Sequence, residues 1–113
     1  MTISSVHIGI INYPGAMQSA IHGFTEMFTL ANGIAADAGI NKRIHLTLIN
    51  VNQLPTPGKL QALIIPPLMD KQQYLNVDSS IQQWILKQHA NGATLCSSCA
   101  GTFVIASTGL LDQ

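Results

Sequence analysis

Cys99 has the surroundings of a reactive thiol. It stands in "ATLCSSCAGTFVIASTGLL" (93–111), where a short apolar run meets small residues and then an apolar, helix-like pattern. Strand, tight turn and helix, with a nucleophile on the turn, is the geometry of a nucleophile elbow. The turn needs small neighbours because its backbone is strained and the helix packs close behind. Here they are Ser97, Ser98, Ala100 and Gly101. A thiol at a helix start also faces free N–H groups and the positive end of the helix dipole, which favour its nucleophilic form. Two other readings compete: half of a redox Cys-x-x-Cys pair with Cys96, or a small buried residue without chemistry. The strand-to-turn context separates the pair. Cys96 falls inside the strand and reads as core, and strand geometry turns the two side chains apart, against an easy disulfide. Two soft ligands are too few for a metal site, so none is expected. His7, His22, His45 and His89 read as packed or surface histidines, not as a catalytic base.

The elements that must position Cys99 follow from periodicity. "SVHIGIIN" (5–12) reads as a buried strand ended by Tyr13, Pro14 and Gly15. A long helix follows, with Met17, Ile21, Phe24, Phe28 and Ala31 on one stripe. Ala20, Met27 and Leu30 widen that stripe, which predicts a helix covered on more than one side. Gly33 or Gly39 is its expected stop. Residues 44–51 alternate as a second strand, with Ile44, Leu46 and Leu48 on one face and His45, Thr47, Ile49 and Val51 on the other. A loop is expected at 52–59, a third strand at 61–66 and a loop after it. A second helix, capped by Asp78 or Ser79, then carries Ile81, Trp84, Ile85 and Gln88 to about His89. A fourth strand at 93–97 leads into the last helix, from near Gly101. The order β-α-β-β-α-β-α argues an α/β fold, a parallel sheet with helices on both faces. Ligands of such sheets sit beyond the carboxyl ends of the strands. The loops there are 13–16, 66–72 and 97–101, which makes Tyr13, Leu68 and Gly101 candidate binding residues.

Composition narrows the partners. The 113 residues suit one domain, 1–113. Hydrophobic residues make up 47% and charged residues only 9%, so much apolar surface must be hidden in a core or against a partner. Formal net charge is zero, which leaves no basic patch for nucleic acid. No apolar run is long enough for a membrane span, and the start lacks the pattern of a signal peptide. The chain reads as cytoplasmic, reduced and soluble, with no cofactor.

"VHIGIINYPG", "GFTEMFTLAN", "ALIIPP" and above all "ATLCSSCAGTFVIASTGLLDQ" resemble the ThiJ/PfpI superfamily, relatives of class I glutamine amidotransferases. The flavour is that of the amino-terminal half of AraC-type transcription regulators, with a Glu-apolar-Phe helix ending in "AN" and a Cys-small-Gly elbow running on to "GLLD". The resemblance implies a flavodoxin-like three-layer sandwich. It matches Cys99 to the elbow nucleophile and Glu26 to the helix carboxylate that approaches it. It matches the backbone N–H of Ala100, and one near Leu68, to oxyanion donors. By helical spacing alone, Glu26 lies off the apolar stripe and reads as a solvated carboxylate.

Three departures shape the functional expectation. Pro66-Pro67-Leu68 stands where the family has Pro-Gly-Gly, and Pro67 has no N–H. No histidine follows "GLLD". The link between the second and third strands is short. A partial domain, incomplete at its C-terminus, is expected, with an open sheet edge and an apolar helix face that favour self-association. The resemblance then implies a small-molecule-sensing domain without turnover, reaching DNA only through a domain outside this chain. A cysteine-dependent hydrolase, hydratase or deglycase is the second reading. The third is a thiol oxidation sensor, in which Glu26 would hydrogen-bond an oxidised Cys99.

Overall fold

The computed structural model describes residues 2–51, 59–70, 72–73 and 76–112. Four strands, β1 (Ser4–Asn12), β2 (Lys42–Asn50), β3 (Ala62–Ile65) and β4 (Thr94–Ser97), form one parallel sheet in the order β2-β1-β3-β4. Helix α1 (Gln18–Asp37) joins β1 to β2, and α2 (Ser79–Ala90) joins β3 to β4. After β4 a 3-10 turn, Cys99–Gly101, runs into α3 (Thr102–Ser107). The α/β fold and element order expected from periodicity are the ones the chain adopts. The strand order matches the first four positions of the flavodoxin-like order. The expected loop at 52–59 lies, for 52–58, outside the described residues. Among the described residues no helix is long and apolar enough to cross a membrane.

The chain moves one way across the sheet from β1 to β2 and the other way from β3 to β4. Right-handed crossovers therefore put α1 and α2 on opposite faces. Strand alternation assigns the side chains. Ile10, Ile44, Leu46 and Leu48 line one shallow hollow with Phe28, Thr25 and Asn32 of α1. Ile11, Ile49, Leu63 and Ile65 have the opposite parity in the shared register and point to the face of α2 and α3. Those two helices lie side by side, because Gln82 Nε2 on α2 donates to the Ser107 carbonyl of α3 at 3.2 Å. Most of the deep core is on this face: Ile11, Leu63, Ile65, Ile85 and Val104 are fully buried, as is Ile10 on the α1 face. Trp84 and Ile81 complete the buried side of α2, as their spacing predicts. Asp78 is its N-cap, and the carboxyl accepts the Ser80 N–H at 2.9 Å.

Two expectations are corrected on the other face. Helix α1 is covered on one side only. Met27 is 50% exposed and Leu30 65%, and Ile21 is the helix's one buried residue. The apolar stripe reads true at Phe24 and Phe28, but among the described residues its widening at Met27 and Leu30 stays exposed. Cys96, expected in the core, is exposed. It pairs in register with Ile64 and so shares the α1 face, but β4 is the edge strand and no described helix covers it there. Helix α1 also runs through Gly33. It ends at Gly39, whose N–H reaches the Ala36 carbonyl at 3.2 Å, while the Ile40 N–H reaches that of Ala35 at 2.9 Å.

Two amides take opposite roles. Asn32 Nδ2 donates to the Ile44 carbonyl and Asn32 Oδ1 accepts the Ile44 N–H, both at 2.8 Å. The two groups of one residue in a parallel ladder point the same way, so this side chain occupies the free edge of β2 as another strand would. Gln88 is completely buried on α2, and neither of its amide atoms has a partner.

Candidate functional site: the Cys99 elbow

The elbow is built from backbone outward. Pairing between β3 and β4 continues one residue past the strand, through Ser98 N–H on the Ile65 carbonyl at 3.0 Å. The chain then reverses at Cys99, whose φ is +50°. It is the one described non-glycine residue in the left-handed region, which costs an L side chain about 1–2 kcal/mol. The Gly101 N–H closes the turn on the Ser98 carbonyl at 3.0 Å. A Cβ on Gly101 would collide with the carbonyl oxygen of Ile65, so only glycine lets α3 start this close behind the sheet. Two hydroxyls staple the turn: Ser97 Oγ and Thr102 Oγ1 share a hydrogen bond of 2.7 Å, and Thr102 Oγ1 lies 3.2 Å from the Cys99 carbonyl as its donor. The small residues around Cys99 thus serve the close helix–strand approach that the elbow reading requires.

The Cys99 side chain is exposed. The N–H groups of Cys99 and Ala100 come before the first hydrogen bond of the turn, as at any helix start. Leu68 comes from the loop after β3 and is buried. Its neighbours bind the loop after β1: Met17 N–H donates to the Pro67 carbonyl and Met69 N–H to the Gly15 carbonyl, both at 2.8 Å. Leu68 and Ala16 form the bridge between the loops, which turns the N–H of Leu68 to the other side of its segment. Tyr13 is buried, and its hydroxyl donates to the Pro66 carbonyl, fixing the first loop to the second. Gly101 is a spacer between helix and strand.

Glu26 lies in the middle of α1, exposed, and no hydrogen bond joins it to Cys99. Of the histidines, His7 and His45 sit side by side on β1 and β2, ring centroids 5.3 Å apart, toward the amino ends of the strands. His89 closes α2, which leads into the amino end of β4. All three are thus toward the amino ends of the strands, whereas the elbow is at the carboxyl end of β4, and His22 is exposed on α1. Among the described residues no group of three His, Cys, Asp or Glu could hold a metal.

Sequence reading placed Tyr13 and Leu68 on this rim but missed the cleft that they line with the start of α2, and the place of Gln73 and Ile81 in its wall. The one available signal was the strand order, which puts a crevice between β1 and β3. No family model, curated protein or solved structure matches the chain. What the elbow offers is an exposed thiol on a strained turn, with backbone donors beside it and no described side chain to take its proton.

Proposed function

We propose that the chain is a small-molecule-sensing domain of the ThiJ/PfpI, amidotransferase-like kind found in AraC-type transcription regulators, binding without turnover. DNA is reached through a domain outside this chain, and a second copy is its proposed partner. The observation that supports this reading is the elbow at Cys99 without its chemistry: the backbone turn is present, while neither Glu26 nor a histidine is hydrogen-bonded to the thiol. Acyl transfer by a thiol needs a base held within hydrogen-bond reach. The buried Pro66-Pro67-Leu68 loop, tied to 15–17, adds bulk where a substrate would approach.

One observation favours a thiol-dependent enzyme instead. A strained φ at Cys99 is what a displayed nucleophile requires and an inert residue does not. Incubation with methylglyoxal, a primary amide and an isonitrile, followed by NMR, separates the readings. The expected result is no consumption beyond the Cys99→Ala control. Turnover that Cys99→Ala abolishes overturns the sensing reading and establishes the enzyme.

A further inference from the structure

His7 and His45 are directly opposite each other in the register of β1 and β2. Neighbouring strands lie ~4.8 Å apart, and residues opposite each other in a ladder point to one face of the sheet. Both imidazoles therefore leave the sheet side by side, with the parity of the α2 and α3 face, and both are exposed. Their ring centroids are 5.3 Å apart and their planes are tilted by 59°. Coordination of one ion asks for nearly this geometry. A Zn–N bond of ~2.0–2.1 Å and the ~1.2 Å from nitrogen to ring centre put each centroid ~3.2 Å from the ion. Two such rings ~109° apart on a tetrahedral ion have centroids ~5.2 Å apart. The lone pairs lie in the ring planes. Planes stacked face to face never meet, whereas planes tilted by 59° do, and an ion on that line serves both rings.

The strands beneath the rings are held from both sides. Gln61 clasps His7 on the β3 side: its Oε1 accepts the His7 N–H at 2.7 Å, and its own N–H donates to the His7 carbonyl at 2.8 Å. Asn32 clasps Ile44, the neighbour of His45, from the free edge of β2. Side chains on strands fixed in this way hold a site more closely than side chains on loops. The Cδ1 atoms of Ile49 and Leu60 fill the space over Gly9, so the next tier of this face is apolar. In the other direction, Arg43 Nη1 donates to the carbonyls of Ile40 and Lys42, both at 2.7 Å, which ties its charge to the backbone before it. Among the described residues no third His, Cys, Asp or Glu joins the pair.

We propose that His7 and His45 chelate a divalent transition-metal ion, Zn²⁺ by the tetrahedral fit, with water in its other positions. Imidazole suits zinc, copper and nickel, and binds in its neutral form through either ring nitrogen. Mg²⁺ and Ca²⁺ want oxygen ligands, and two imidazoles offer none. Two protein ligands make a reversible site, filled according to the free ion, not a closed structural site of four ligands. The pair lies toward the amino ends of the strands, away from the elbow, so the proposal goes beyond the sensing reading and does not rest on it.

The test is a titration of the whole chain with Zn²⁺, and with Mg²⁺ as control, followed by calorimetry and by NMR of the histidine ring protons. The expected result is saturation at one Zn²⁺ per chain. The His7 and His45 ring signals move together, those of His22 and His89 stay, and Mg²⁺ moves none. His7→Ala and His45→Ala, at exposed positions, should each weaken binding by about tenfold or more, because one imidazole cannot chelate. His22→Ala should leave it unchanged. Binding that survives in His7→Ala, that is lost in Cys96→Ser or Cys99→Ala instead, or that fails to saturate by ~1 mM overturns the proposal. None of these outcomes touches the sensing reading, which only Cys99-dependent turnover removes.

Discussion

Cys99 carries two opposed demands. The turn needs a left-handed backbone, and a side chain there is strained; the thiol is nevertheless displayed to solvent. Cys99→Gly removes the strain and should stabilise the fold by about 1 kcal/mol, read as a rise in the urea midpoint. Cys96→Ser, on an exposed strand position, should leave stability within about 0.5 kcal/mol. Equal effects of the two substitutions would mean that the backbone at Cys99 is not strained. Gly101 is the second fixed point, since the Ile65 carbonyl occupies the space a side chain would need. Both were legible in the sequence, because a run of small residues between a strand and a helix has few other uses. Glu26 was legible as a carboxylate off the core stripe, and the structure agrees: it faces solvent, without a hydrogen bond to Cys99. Gln73 was not legible. It lies in a connecting segment without periodicity, and its buried Oε1 rests against Gly15, far away in sequence.

Among the elements, Asn32 and Gln88 make a controlled comparison of the same functional group. The Asn32 amide satisfies the edge of β2 with two hydrogen bonds, whereas the Gln88 amide is buried with none. Asn32→Leu should cost about 1–3 kcal/mol, because it strips partners from a half-covered strand edge. Gln88→Met should stabilise by about 1 kcal/mol or more, because it removes two buried groups without partners and keeps the volume. One series of urea midpoints checks both, and a loss of stability in Gln88→Met would show that a buried water serves the amide. The helices and strands themselves were readable: α1 and α2 from helical spacing, 44–51 from period-two alternation, and the other strands as short apolar runs bounded by turn residues. What periodicity cannot say is which side of an element has a neighbour. Met27 and Leu30 extend the apolar stripe of α1, and Cys96 sits in an apolar strand, yet all three are exposed. Local pattern records what a residue would prefer; the number of strands and helices brought together decides what it gets.

At the scale of the whole molecule, the two sheet edges are treated differently. The β2 edge carries Lys42 and Arg43 and is capped by Asn32, the usual defences against strand addition. The β4 edge, Thr94 to Ser97, has no charge and no proline. Above it on the α1 face the sheet is open at Thr94 and Cys96. At about 100° per residue, Met27, Leu30 and Ile34 fall on the flank of α1 opposite Thr25, Thr29 and Asn32. Asn32 lies over the β2 edge, so that apolar flank overlooks the open half of the sheet. With only 9% charged residues in the chain, little opposes contact between two such surfaces. Sedimentation velocity at micromolar concentration should therefore give a mass above the 12.1 kDa of one chain, rising with concentration. Leu30→Lys should return the protein to a monomer if the helix flank is the contact, and Thr94→Lys if the β4 edge is. A wild-type chain that stays monomeric across the range would show that water alone covers this face, and would remove the second copy from the proposed partners.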